Sequence, residues 1–162
     1  MIRAYDKTYL EDAMLNLAVA LDYGSIACAG GIDEFYDRML AGDVIRQFEK
    51  GNPKYVSGLS GIELGKRIIE STGGHVGDYN YVLDDRSAIF WTGWVLAYLQ
   101  WYTNLPFESL NAKGIDVHRV MDMYPAFHEA DISKFVTSAL KIMSNSETDV
   151  SPLKRQRKSA GF

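Results

Sequence analysis

The residues best suited to acid–base chemistry lie together in the last third of the chain. Glu129 and Asp131 follow His128, which places two carboxylates beside an imidazole near a predicted helix start, and Asp122 lies shortly before them. An imidazole with neighbouring carboxylates can act as a general acid–base pair. Acidic residues near a helix start also simply favour the helix dipole. We therefore predict a capping or surface role, with a small enzyme using His128 and nearby carboxylates as an alternative.

The remaining reactive side chains predict neither a catalytic site nor a metal site. Cys28 lies in an apolar run without a nearby base, which favours a buried thiol over a nucleophile. The string GLSG around Ser60 lacks the G-x-S-x-G spacing of a nucleophile elbow, so we interpret Ser60 as a helix cap. His75 and Asp78 share a glycine-rich loop with no second ligand pair nearby. We accordingly predict no metal and no cofactor.

The charge distribution disfavours nucleic acid as a partner of the main body. Residues 1–150 hold 13 basic and 21 acidic residues, a net charge of −8, whereas residues 151–162 carry +4. An acidic body repels phosphate backbones. Only the tail could contact a polyanion, and a solvated chain end is the favoured interpretation. Its basic residues are Lys154, Arg155, Arg157 and Lys158.

Length and composition predict one globular domain in a reducing, cytoplasmic compartment. The chain has 162 residues, ordinary hydrophobic content of 47% and a single cysteine, which cannot form an internal disulfide. Its beginning lacks the apolar core of a signal peptide. The most apolar segment, residues 88–102, is shorter than the roughly 20 residues that a membrane span needs. No membrane partner is therefore expected.

Apolar residues recur at helical spacing almost throughout, which predicts a compact all-α, multi-helix domain over residues 1–146. A polar, basic tail is predicted over 147–162. Pro125 is expected to interrupt the helix that runs through His118 and Val120 towards Tyr124. Side chains that should cap helices precede several of the apolar stripes; they are Thr8, Asp33, Ser60, Ser87 and Asp116.

The most hydrophobic segment, from Ala88 to Tyr102, is predicted to be the central core helix. Trp91 falls off its predicted buried face, which makes it a candidate for exposure or for contact with another element. The predicted buried face consists of Ile89, Phe90, Gly93, Trp94, Ala97, Tyr98 and Trp101.

The two halves of the chain match at an offset of 72 residues. Gly42 aligns with Gly114, and Pro53 aligns with Pro125. Glycine and proline determine backbone geometry, so their agreement at one offset favours an internal repeat over chance. The predicted half-repeats span 8–72 and 87–143, and the irregular residues 73–86 are predicted to link them.

The second half carries a resemblance to a known group. The segments S-x-x-x-W-x-G-W-x-L-A-Y-x-Q-W-Y-T, in residues 87–103, and M-Y-P-A-F-H-E-A, in residues 123–130, resemble small uncharacterised bacterial all-helical proteins. The likeness lies mainly in residues 87–102 and 123–136. Genes of such proteins lie near toxin–antitoxin or defence loci. The resemblance thus implies a binding partner of a toxin rather than a catalyst.

These observations favour a non-enzymatic protein-interaction module, antitoxin-like or inhibitory, because the acidic body and surplus aromatic residues suit a protein interface. The first candidates for its binding surface are Trp91, Tyr124, His128 and Glu129. The alternative is a helix-turn-helix regulator that binds DNA through residues 94–120. Its recognition helix would contain His118 and Arg119, but also two acids.

Overall fold

The computed structural model describes residues 2–77 and 80–160, with side chains as far as residue 147. Within these residues the chain is all-α and has no strand, which confirms the predicted fold class. A 3-10 turn (Lys7–Tyr9) precedes the first helix, and a π-helical turn (Lys54–Gly58) precedes the fourth. The α-helices are α1 (Leu10–Ala27), α2 (Gly31–Ala41), α3 (Val44–Glu49), α4 (Gly61–Ser71), α5 (Ala88–Thr103), α6 (Phe107–Ala112), α7 (Val117–Phe127) and α8 (Ile132–Ala160).

Helix α1 is the centre of the fold. It packs most extensively against α5, then α4 and then α2. Most of its positions are buried, including the charged Asp22, because other helices cover several of its faces. Its apolar character is therefore not confined to one stripe, as a helix buried on several sides requires.

Glycines allow the helices around α1 to approach its backbone closely. A Cβ atom at Gly93 of α5 would lie 2.7 Å from the Ala18 Cα and from the Leu17 carbonyl oxygen. A Cβ atom at Gly61 of α4 would lie 2.4 Å from the Val19 Cβ. Real Cβ atoms do not approach other atoms this closely, so both crossings depend on the missing side chain.

Three predicted helix caps are confirmed. The Ser60 hydroxyl accepts a hydrogen bond from the Glu63 amide at 3.2 Å, and Ser87 accepts one from the Phe90 amide at 2.9 Å. Asp116 accepts one from the Arg119 amide at 2.8 Å. Each side chain satisfies an N–H group that would otherwise lack an intrahelical partner. The interpretation of Ser60 as a cap therefore holds.

Two predicted caps are wrong. The chain enters α1 through the 3-10 turn, where the Asp6 carboxylate accepts a hydrogen bond from the Thr8 amide, so Asp6 is the cap and Thr8 the donor. Helix α2 begins two residues before Asp33, with Gly30 at its N-cap, and the Glu34 carboxylate accepts from the Gly30 amide at 3.2 Å. In both cases the helix begins at a different residue from the one that the predicted cap indicated.

The prediction that Pro125 interrupts its helix is also wrong. Pro125 lies within the last turn of α7, where its missing N–H removes a single hydrogen bond and the helix ends two residues later.

Helix α8 continues to Ala160 and so includes most of the predicted tail, residues 147–162. No described helix is long and apolar enough to cross a membrane.

The internal repeat stays a prediction. At the offset of 72 the helices follow the same order, so that α1 corresponds to α5 and α4 to α8. Gly42 follows α2 directly, and Gly114 lies just after α6 with a positive φ of 95°. The two prolines differ, however. Pro53 precedes a π-helical turn, whereas Pro125 lies inside α7.

Candidate functional site: an aromatic cleft

A cleft of about 400 Å³ lies between the start of α5 and the end of α7. We call it the aromatic cleft, because five of its seven lining residues carry aromatic rings. It is lined by Asp85, Arg86, Phe90, Trp91, Trp94, Tyr124 and His128. A concave surface with many rings and few charged groups is typical of binding sites.

Trp91 forms the fixed wall of the cleft. Its side chain is 9% exposed and makes edge-to-face contacts with Tyr124 of α7 and Phe135 of α8, at centroid distances of 5.7 and 5.6 Å. Such ring pairs contribute about 0.5–1.5 kcal/mol each beyond their buried area. Trp91 therefore connects three helices, and of the two predictions for it, contact with another element is confirmed.

Trp94 is the exposed ring of the cleft. It lies one helical turn after Trp91, and 37% of its surface is exposed. The prediction that Trp94 belongs to the buried face of α5 is wrong. Apolar residues surround α5 almost completely, so hydrophobic periodicity does not identify which side faces water.

Tyr124 connects the cleft's two sides. Its hydroxyl donates a 2.7 Å hydrogen bond to the Arg86 carbonyl, and its ring stacks on His128 with a centroid distance of 4.3 Å. The first contact fixes α7 to the segment before α5, and the second orients the imidazole. These contacts form a preorganised surface, which lowers the entropy lost on binding.

His128 is held by backbone rather than by a carboxylate. Its Nδ1 lies 2.7 Å from the Tyr124 carbonyl oxygen, and because a carbonyl oxygen only accepts, the N–H at Nδ1 is the donor. The nearest Glu129 carboxylate oxygen is 3.7 Å from Nε2, and the Glu129 side chain is 90% exposed. The imidazole therefore offers a polar contact at the edge of the cleft.

Beneath the cleft, Asp22 of α1 anchors the segment that enters α5. This carboxylate is 4% exposed and accepts hydrogen bonds from the Tyr81 hydroxyl (2.5 Å), the Ser87 hydroxyl (3.1 Å) and the Asp84 amide (3.2 Å). Burial, followed by these contacts with Asp22, raises the pKa of Tyr81. A buried carboxylate is stable only with such donors. Asp22 thereby positions Asp85 and Arg86 at the rim of the cleft.

The structure brings together three of the four predicted binding residues, namely Trp91, Tyr124 and His128. Glu129 adjoins His128 in sequence but does not line the cleft. Sequence reasoning missed the contributions of Phe90 and Trp94, which it assigned to the core. It also missed Asp22, whose partners lie about sixty residues away along the chain.

The other sequence candidates that the structure describes lie apart from one another. Cys28 is buried, and its burial, followed by Glu34, raises the pKa of its thiol to about 11, which opposes nucleophilic chemistry. His75 is exposed, and Asp78 lies outside the described residues. Of the histidine, cysteine and acidic side chains that are described, no three lie close enough together to hold a metal ion.

The predicted recognition helix for DNA is α7. His118 and Arg119 are exposed at its start, and the His118 Nε2 contacts an Asp33 carboxylate oxygen of α2. The capping carboxylate of Asp116 adjoins them. This surface thus mixes acidic and basic groups, whereas DNA recognition requires a basic one.

Comparisons with protein-family models, with curated proteins and with solved structures gave no match to this chain. The chemistry of the described residues is therefore the basis for a functional assignment.

Proposed function

We propose that this chain is a non-enzymatic protein-interaction module that binds its partner through the aromatic cleft. The observation that carries the proposal is the pairing of a fixed ring, Trp91, with an exposed ring, Trp94, in one concave surface. Tryptophan and tyrosine in partly desolvated pockets supply most of the binding energy of many protein interfaces.

Charge supports a basic protein partner. Residues 1–150 carry a net charge of −8. Asp85 lines the cleft, and Asp84 and Glu129 adjoin its lining residues in sequence, against the single cation Arg86. An acidic surface steers basic partners toward it and raises their association rate.

The occupant that best fits the cleft is a lysine or arginine side chain of that partner. A cation placed over the face of a tryptophan or tyrosine ring gains about 0.5–2 kcal/mol, and Asp85 would add a charge-assisted hydrogen bond. A toxin with a basic active-site cleft is such a partner, which agrees with the resemblance to proteins from toxin–antitoxin loci. The proposed setting is the bacterial cytoplasm, consistent with one buried cysteine.

The geometry around His128 favours binding over catalysis. The alternative, a small enzyme that uses His128 with nearby carboxylates, requires those carboxylates within hydrogen-bond reach of the imidazole, about 2.6–3.2 Å. Among the described side chains, the carboxylate nearest to the His128 Nε2 belongs to Glu129, at 3.7 Å, and it faces solvent. We therefore assign His128 a contact role at the edge of the interface.

The test is affinity purification of the tagged full-length chain from its native host, after nuclease treatment, with mass spectrometry of the bound proteins. We expect one basic protein at near-equal amounts with the wild type. Trp94→Ala should reduce its recovery at least roughly tenfold, which corresponds to an interface residue worth about 1.4 kcal/mol. Asp85→Asn should weaken binding less.

The matched control is Leu15→Ala, because Leu15 is exposed by 51% on α1 and does not line the cleft. It should leave recovery unchanged. Equal losses with Leu15→Ala and Trp94→Ala, or full retention with Trp94→Ala, would remove the cleft from the interface. Recovery of DNA alone, in a parallel experiment without nuclease, would favour the regulator instead.

A further inference from the structure

A second cavity, of about 460 Å³, lies between α3, the end of α5 and the start of α6. We call it the α3–α5 cavity. It shares no lining residue with the aromatic cleft. Its lining residues are Ala4, Leu40, Ile45, Arg46, Glu49, Lys50, Gln100, Asn104, Pro106 and Glu108.

Gln100 contributes an unsatisfied acceptor at the base of this cavity. Its side chain is 1% exposed, and its Nε2 donates a long hydrogen bond of 3.3 Å to the Glu49 carbonyl. Its Oε1 has no hydrogen-bond partner among the described residues. A buried carbonyl oxygen without a donor destabilises the fold, so a group that donates to it would be bound favourably.

Glu49 places a carboxylate beside the same space. One of its oxygens accepts a 2.5 Å hydrogen bond from the Phe107 amide, which fixes the side chain against α6. A carboxylate has two oxygens and can accept several further hydrogen bonds. Burial raises the pKa of Glu49, which reflects a partly desolvated position. The base of the cavity therefore has two acceptors and needs hydrogen-bond donors.

The outer part of the cavity carries the opposite charge. Arg46 and Lys50 are both exposed and lie four residues apart, so they share one side of the chain at the end of α3. Glu108 stands at the rim and limits the net positive charge. Leu40, Ile45 and Pro106 supply apolar walls between the base and the rim.

We propose that the α3–α5 cavity binds a small zwitterion, namely a free amino acid. Its ammonium group donates to the Gln100 Oε1 and to Glu49, and its carboxylate binds Arg46 and Lys50. A volume of about 460 Å³ lies within the usual range of small-ligand sites.

The experiment is an NMR titration of the isotope-labelled full-length protein with each common free L-amino acid at millimolar concentration. We expect at least one to shift the Gln100 side-chain amide saturably. Its decarboxylated amine and its deaminated acid should each bind at least roughly tenfold more weakly, because each loses one charge-assisted contact. If no amino acid shifts Gln100, or if the amine binds equally well, the proposal is wrong.

Two variants assign the contacts. Arg46→Gln should weaken binding at least several-fold, whereas Lys66→Gln, exposed on α4 and outside the cavity, should not. Equal effects of the two would reject recognition by Arg46. With the backbone amides of the lining residues Lys50 and Asn104 as reporters, Gln100→Met should abolish the saturable shifts, and Arg46→Gln keeps the test valid if Gln100→Met does not fold. Trp94→Ala should leave this titration unchanged, so the two cavities are tested independently.

Discussion

The two halves of the molecule have the same order of helices but different packing. In the first half, α4 packs extensively on α1, and Gly61 and Gly65 allow that close contact. In the second half, α8 makes fewer contacts with α5, and α7 packs against α5 as well. Aromatic rings, Trp91 with Tyr124 and Phe135, fill this wider junction. Close glycine crossings leave no open space, whereas large rings packed edge to face leave a cleft.

The largest effect should come from closing the glycine crossings. Gly61→Ala and Gly93→Ala should each destabilise the fold by about 1–3 kcal/mol, although alanine is the better helix former. The new methyl group meets the Val19 side chain at position 61 and the backbone of Leu17 and Ala18 at position 93. Urea unfolding measures the change.

Gly58→Ala is the control for that pair, because its Cβ would lie at an ordinary 3.5 Å from its nearest neighbour, the Pro53 carbonyl oxygen. It should change the free energy of unfolding by less than about 1 kcal/mol. If Gly93→Ala is equally mild, helix α5 does not depend on close approach to α1.

The next effect concerns the anchor between the halves. Asp22→Asn retains the shape of the side chain but removes the negative charge to which three donors form hydrogen bonds. It should therefore destabilise the fold by about 1–3 kcal/mol. It should also speed hydrogen exchange at the Asp84 amide. Asp37→Asn, exposed on α2, should leave both quantities nearly unchanged. Normal protection of Asp84 in Asp22→Asn would contradict the anchoring role.

A smaller effect should follow from loosening the second half alone. Tyr124→Phe removes the hydrogen bond to the Arg86 carbonyl and should reduce stability by about 0.5–1.5 kcal/mol. Because the ring remains, the packing against Trp91 should persist while partner binding weakens. Tyr98→Phe is the comparison, since the Tyr98 hydroxyl makes no hydrogen bond to the described residues. Equal stabilities of the two variants would argue against the Arg86 contact.

The smallest effect at neutral pH belongs to Tyr36 of the first half. Burial raises its pKa in the folded state, whereas the unfolded value is about 10. The neutral phenol therefore contributes stability below about pH 10, and that contribution is lost as the pH rises further. Above about pH 10, the free energy of unfolding of Tyr36→Phe, measured by chemical denaturation, should fall less steeply with pH than that of the wild type. Burial also raises the pKa values of Tyr5 and Tyr81, so part of the decline should remain. If the free energy of unfolding fell equally steeply with pH in Tyr36→Phe and in the wild type, the role of Tyr36 in this pH dependence would be wrong.

Features that depend on residues close together in the sequence could be predicted, whereas features that depend on distant residues could not. Ser60, Ser87 and Asp116 cap helices as expected, because a cap depends on residues three positions away. The role of Asp22 depends on a segment that only the fold brings near. Trp94 was assigned to the wrong side because α5 is apolar around its whole circumference. Trp91, Tyr124 and His128 of the predicted binding surface nevertheless line one cleft, whereas Glu129 does not.

Because the three tryptophans differ in exposure, the intrinsic fluorescence of the protein should report on the aromatic cleft. Trp91 and Trp101 are 9% and 7% exposed, whereas Trp94 is 37% exposed. A soluble quencher should therefore reach Trp94 first, and an occupied aromatic cleft should shield it and shift its emission to shorter wavelength. Occupancy of the cleft thus becomes visible in the intrinsic fluorescence, without a label and before the partner's identity is established.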